Sequence, residues 1–212
     1  MGDTDGRACR QAGVTRFPHA PAKDPSRALT TARCLATSLK FCVTLALLAV
    51  ASGAAAELPP DFAPNPVQIS PRLSTAGQPS AESLRGLADA GYEAVVYLAP
   101  PTVPDAVPDA ALIVGSQGLV YVNIPIDFAD PTERDVDRFF DVMNALGDRR
   151  VLVHCQINMR ASVLVFLYRA AVLGEDPALA YAAVERVWVP NGPWRRLIST
   201  QLQRHGIAFE PF

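Results

Sequence analysis

From residue 57 to its end the chain contains no lysine, although it carries 12 arginines and 18 acidic side chains, a formal charge of −6. A segment so acidic repels a nucleic-acid backbone, whose binding needs many cationic contacts to phosphate, so nucleic acid is not an expected partner. Cysteine is scarce as well. Cys9, Cys34 and Cys42 all precede residue 57, which leaves Cys155 alone in the remainder. A solitary thiol excludes a disulfide framework there, and is either buried and inert or kept for its reactivity. The sequence has no metal-ligand spacing, dinucleotide fingerprint, internal repeat or heptad run, so neither a metal nor another cofactor is expected. The longest run of apolar and small residues, Phe41 to Ala56, spans 16 positions and falls short of the ~20 that cross a membrane.

What is present reads as one ordinary domain behind a leader. Of 212 residues, 50% are hydrophobic and 19% charged, enough apolar material for one buried core. Arg33 and Lys40 precede the apolar run Phe41 to Ala51, and small residues fill Ser52 to Ala56 before Glu57. That order is a secretory signal with an A-x-A cleavage site. Residues 1–56 are therefore expected to be a leader and 57–212 an exported domain, periplasmic or secreted, with no membrane span after cleavage. No pattern in the sequence bears on oligomeric state.

Along the domain, Val67 to Thr75 predicts an opening strand or hairpin, and Ser80 an N-cap for a short helix carrying Leu84, Leu87 and Ala88 up to Gly91. Glu93 to Ala99, Leu119 to Ile124 and Val151 to His154 predict three buried strands from their nearly unbroken apolar runs. A short helix is expected from Pro108 to about Ser116. Thr132 and Asp135 form a capping box for a helix with Val136, Phe139, Phe140, Met143 and Leu146 on one face. Arg160 to Leu173 predicts a central buried helix, Asp176 with Pro177 the start of another, and Pro193 to Arg204 the last. Such alternation predicts a single α/β domain with a central, mostly parallel sheet flanked by helices on both faces. Ligands of such sheets bind beyond the carboxyl ends of the strands, where the loop after His154 lies.

That loop reads His154-Cys155-Gln156-Ile157-Asn158-Met159-Arg160-Ala161-Ser162. A strand-to-helix loop offers unpaired backbone N–H groups and the positive end of the helix dipole, which together bind an oxyanion and favour a thiolate. Arg160 in the first helical turn can lay its planar fork on a tetrahedral anion through two parallel hydrogen bonds. Of the loop residues without a glycine's freedom, Asn158 is the one that tolerates positive φ. The cluster of Trp188, Pro190, Asn191, Gly192 and Trp194 reads as a helix-linking turn packed on the core rather than as a substrate platform.

The strand, His-Cys, loop, Arg and buried helix resemble the tyrosine and dual-specificity phosphatase superfamily. The likeness extends upstream to Ile69–Ser80, Leu84, Leu87, Gly91 and Val95–Leu98, and is similar there to a compact phosphatase-like subgroup. The resemblance implies hydrolysis through a phosphocysteine: Cys155 as nucleophile, and Arg160 with Gln156, Ile157, Asn158, Met159 and Ser162 around the phosphate. It also implies Asp127, 28 positions before Cys155, as the acid for the leaving oxygen, with Asp130 the alternative and His154 supporting the loop. The implied substrate is a phosphorylated protein or a small phosphomonoester. The superfamily pattern, however, has five residues between Cys and Arg, with a glycine among them and Ser or Thr after Arg. Here there are four and no glycine, and Ala161 precedes Ser162. Four is also the spacing of rhodanese-like sulfurtransferases, which carry a persulfide. A third reading is a non-catalytic module that binds phosphate or another anion.

Overall fold

The computed structural model describes residues 58–212, so the leader expected over 1–56 lies outside the described residues. Five strands form one sheet: β1 (Val67–Ser70), β2 (Leu73–Ala76), β3 (Ala94–Tyr97), β4 (Val120–Asn123) and β5 (Val151–His154). Their order is β1-β2-β5-β3-β4, with β1 antiparallel to β2 and the other pairs parallel. The opening segment is thus a hairpin, and β5, which ends at the Cys155 loop, is central.

Six helices complete the domain: α1 (Ala81–Arg85), α2 (Ala110–Gly115), α3 (Glu133–Leu146), α4 (Met159–Ala171), α5 (Pro177–Glu185) and α6 (Gly192–Arg204). Their starts follow local chemistry. The Ser80 side chain accepts from the Ser83 N–H, Thr132 and Asp135 make the reciprocal capping box, and the Asp176 carboxylate accepts from Ala178 and Leu179 ahead of Pro177.

Strand alternation sends side chains to two cores. Val95 and Leu152 join Leu84, Leu87 and Val114 under α1 and α2. Ala94, Val96, Val151 and Val153 join Phe139, Leu164, Phe166 and Ile198 under the larger helical layer. Helix α4 is buried on nearly all sides, so its polar first turn is set rigidly against the end of β5. Truncating its Phe166, which is 1% exposed, to alanine is expected to cost about 3–5 kcal/mol.

One expectation is corrected. Leu119 to Ile124 does not form a buried strand: β4 pairs only with β3, and Val120 is exposed while Tyr121, Val122 and Asn123 are half-buried. An apolar run alone does not separate a central strand from an edge strand, because the difference lies in how many neighbours pair with it.

Candidate active site

The Cys155 loop is fixed from the sheet side. The Cys155 N–H donates to Ala76 at the end of β2 (3.2 Å), and the Gln78 N–H donates to the Gln156 carbonyl (2.8 Å). Gly77 is what allows this approach. A Cβ there would sit 2.7 Å from the Gln156 carbonyl oxygen and 2.7 Å from the Pro64 Cβ, closer than real contacts permit.

Asn158 supplies the bend. Its backbone is left-handed, φ 71° and ψ 0°, and it serves as the N-cap of α4 without a side-chain capping bond. Its amide instead donates to the Asn65 carbonyl (2.6 Å) and to Thr75 Oγ1 (3.0 Å), while Asn65 returns a bond to the Ile157 carbonyl (3.0 Å). The side chain that offsets the strain of positive φ is thereby spent on the fold. The first-turn N–H groups of α4 keep no side-chain cap from it, the condition under which a helix N-terminus receives an anion.

Arg160 is 5% exposed. Its Nε donates to the Ile126 carbonyl (3.0 Å), and its guanidinium lies over the Phe128 ring, 5.1 Å from the centroid. Asp127 sits between these two contacts in the chain, exposed, with Oδ1 accepting from the Ala129 N–H at 2.9 Å.

A cavity of about 170 Å³ opens beside the loop, lined by Asp105, Phe128, Gln156, Ile157, Met159 and Arg160. The structure therefore gathers Gln156, Ile157, Met159 and Arg160 around one opening, with Cys155 and Asn158 wholly buried behind them. Asp130 belongs elsewhere: it lines a separate hollow with Thr132, Arg196 and Leu197. Ser162 is buried, and its hydroxyl donates to the Met159 carbonyl (3.1 Å) along its own helix.

His154 lies in the core, stacked on Tyr97 with ring centroids 4.7 Å apart. No side chain among the described residues bonds to either ring nitrogen; the polar group beside the ring is the adjoining Cys155 backbone. Burial, opposed only by the adjoining Cys155 backbone, pushes its pKa down to about 3, so the ring is neutral. Tyr97 is pushed up to about 12, by burial first and then by the Asp105 carboxylate.

Asp105 and Phe128 also line the cavity, and no local sequence pattern singles them out. Asp105, on the proline-rich loop after β3, accepts from Gln156 Nε2 at 2.8 Å across the mouth of the cavity. Its signal was positional, since this loop leaves the carboxyl end of the strand next to β5. Phe128 forms a wall of the cavity and contacts Trp188 and Trp194, with centroids 5.8 and 5.6 Å away. Trp188 thus lies in the link between α5 and α6, while Trp194 lies in the first turn of α6, and both back onto Phe128.

Residues 66–188 match the family model described as DSP-PTPase phosphatase fused to NAD+ kinase. A candidate phosphatase of the DUF442 group from Shewanella putrefaciens CN-32 is 30% identical with a TM-score of 0.63, the match covering 68% of this chain and 92% of that one. A beta-lactamase hydrolase-like protein of Xylella fastidiosa (strain Temecula1) is 34% identical over 107 residues, 48% of this chain. The chain spans only 24% of that relative's length. TpbA of P. aeruginosa, in complex with pTyr, shares the fold at 22% identity and a TM-score of 0.50, over 71% of this chain and 89% of that one.

Proposed function

Because the chain belongs to the family of DSP-PTPase phosphatases fused to NAD+ kinase, a cysteine-phosphatase-type domain, we propose that it is an exported hydrolase of phosphomonoesters working through a phosphocysteine. The observation that supports this is the joint placement of Cys155 and Arg160 across the left-handed bend at Asn158, at the uncapped start of α4.

In the proposed reaction the Cys155 thiolate attacks phosphorus. The S–P bond forms as the P–O bond to the leaving group breaks, and the Asp127 carboxylic acid gives its proton to the departing oxygen. Water then attacks the phosphocysteine, Asp127 takes back a proton, and phosphate leaves with the thiolate restored. Arg160 uses Nε on Ile126, which leaves both terminal guanidinium nitrogens for the equatorial oxygens of the phosphoryl group.

Phosphotyrosine, the ligand held by TpbA, is the substrate to test first, with phosphorylated proteins and small phosphomonoesters beside it. The experiment is hydrolysis of phosphotyrosine and an aryl phosphate by the full chain, with Cys155→Ser as the control. Turnover that survives Cys155→Ser overturns the proposal. Protection of Cys155 from iodoacetamide by phosphate without any turnover supports a binding module instead, and one added sulfur on Cys155 after thiosulfate supports a sulfurtransferase. Export carries its own check: N-terminal sequencing of the protein from its host should begin near Glu57, and retention of residues 41–56 removes that part of the proposal.

A further inference from the structure

The acid loop is held from a helix that the family match does not reach. Helix α6 begins at Gly192, after the matched stretch 66–188, and its Trp194 is 1% exposed. The Trp194 indole N–H donates to the Phe128 carbonyl at 2.9 Å. The N–H on the other side of that same peptide bond belongs to Ala129, and it donates to Asp127 Oδ1 at 2.9 Å. A peptide unit is rigid and planar, so the carbonyl and the N–H of the 128–129 link turn together. Fixing one end fixes the other.

We propose that Trp194 is a positioning residue for Asp127, acting through the Phe128–Ala129 peptide. The inference rests on the reading of Asp127 as the acid. Oδ1 is occupied by the Ala129 N–H, so Oδ2 is the oxygen that carries the proton to the leaving group. The peptide N–H that holds Oδ1 is polarised by the bond its own carbonyl accepts from the indole, as linked hydrogen bonds strengthen each other. Ring packing reinforces the clamp, since Phe128 meets Trp194 on one side and Trp188 on another while facing the Arg160 guanidinium. Arg160 anchors the carbonyl before Asp127 and Trp194 the carbonyl after it. The carboxylate therefore stands on a turn pinned at both ends.

The test is Trp194→Phe, which keeps an aromatic filler and deletes the donor. Hydrolysis of phenyl phosphate, whose leaving group needs a proton, should fall about tenfold. Turnover of 2,4-dinitrophenyl phosphate, whose leaving group needs none, should change less than about twofold. Hydrogen exchange should quicken in the peptide covering 126–130 and not along α6. An equal loss on both substrates, or faster exchange spread through α6, overturns the proposal in favour of simple packing. Asp127→Asn is measured alongside. If it shows the leaving-group dependence and Trp194→Phe does not, the positioning role fails while the acid assignment stands. If Asp127→Asn shows none, the acid assignment fails and takes the positioning role with it.

Discussion

Arg160 reaches back 34 positions to donate from Nε to the carbonyl of Ile126, the residue before Asp127. One guanidinium thus joins two segments, the first turn of α4 and the loop that carries Asp127. Lysine keeps the charge but has a single nitrogen and no planar fork, so it cannot hold the Ile126 carbonyl and an anion at once. Arg160→Lys is expected to weaken protection of Cys155 by phosphate and to slow aryl phosphate hydrolysis by on the order of 10² or more. Alkylation rates with and without phosphate, beside turnover, check it; near-native values of both would remove Arg160 from the site.

Asn158 separates backbone strain from hydrogen bonding. Glycine there keeps φ 71° without strain but loses the bonds to Asn65 and Thr75. Alanine loses those bonds and adds the cost of a left-handed Cβ, about 1 kcal/mol more. Urea unfolding should rank the wild type above Asn158→Gly and Asn158→Ala lowest. An alanine variant as stable as the glycine variant would contradict the left-handed bend.

What was legible in the sequence was what neighbours in the chain decide. Ser80, the pair Thr132 and Asp135, and Asp176 with Pro177 announce helix starts because a cap acts over three residues. The Cys155 to Arg160 segment was legible for the same reason, as was the left-handed Asn158. The edge position of β4, by contrast, depends on pairing with β3 alone. Asp105 meets Gln156 across 51 positions, and Trp194 meets Phe128 across 66. Nothing local marks these partners, and Trp194 reads as core because its ring is buried; its indole N–H, which donates to the Phe128 carbonyl, has no sequence signature.

Gly77 is expected to tolerate no side chain. The atoms a Cβ would meet there are backbone or ring atoms of Gln156 and Pro64, which have no flexible end to swing away. Gly77→Ala should therefore push the Cys155 loop off the end of β2, costing about 1–3 kcal/mol and weakening phosphate protection of Cys155. Calorimetry and alkylation check the two effects together. Full stability with intact protection would mean that the loop does not rest on Gly77.

His154 makes the fold sensitive to acid. Its pKa is about 3 when folded and returns to the ordinary 6.5 when the chain unfolds. Between those values the unfolded chain holds the extra proton, so stability rises with pH across this window and is lost as pH falls through it. The slope from one such group approaches about 1.4 kcal/mol per pH unit. His154→Phe retains an aromatic ring against Tyr97, whose stacked contact is apolar in character, but cannot titrate. Urea unfolding from pH 7 down to pH 4 should show the wild type losing stability relative to the variant by roughly 2–3 kcal/mol over the range, after allowance for a constant packing difference. Parallel curves for the two proteins would mean that the ring titrates in the fold as it does in the unfolded chain, and is therefore solvated there.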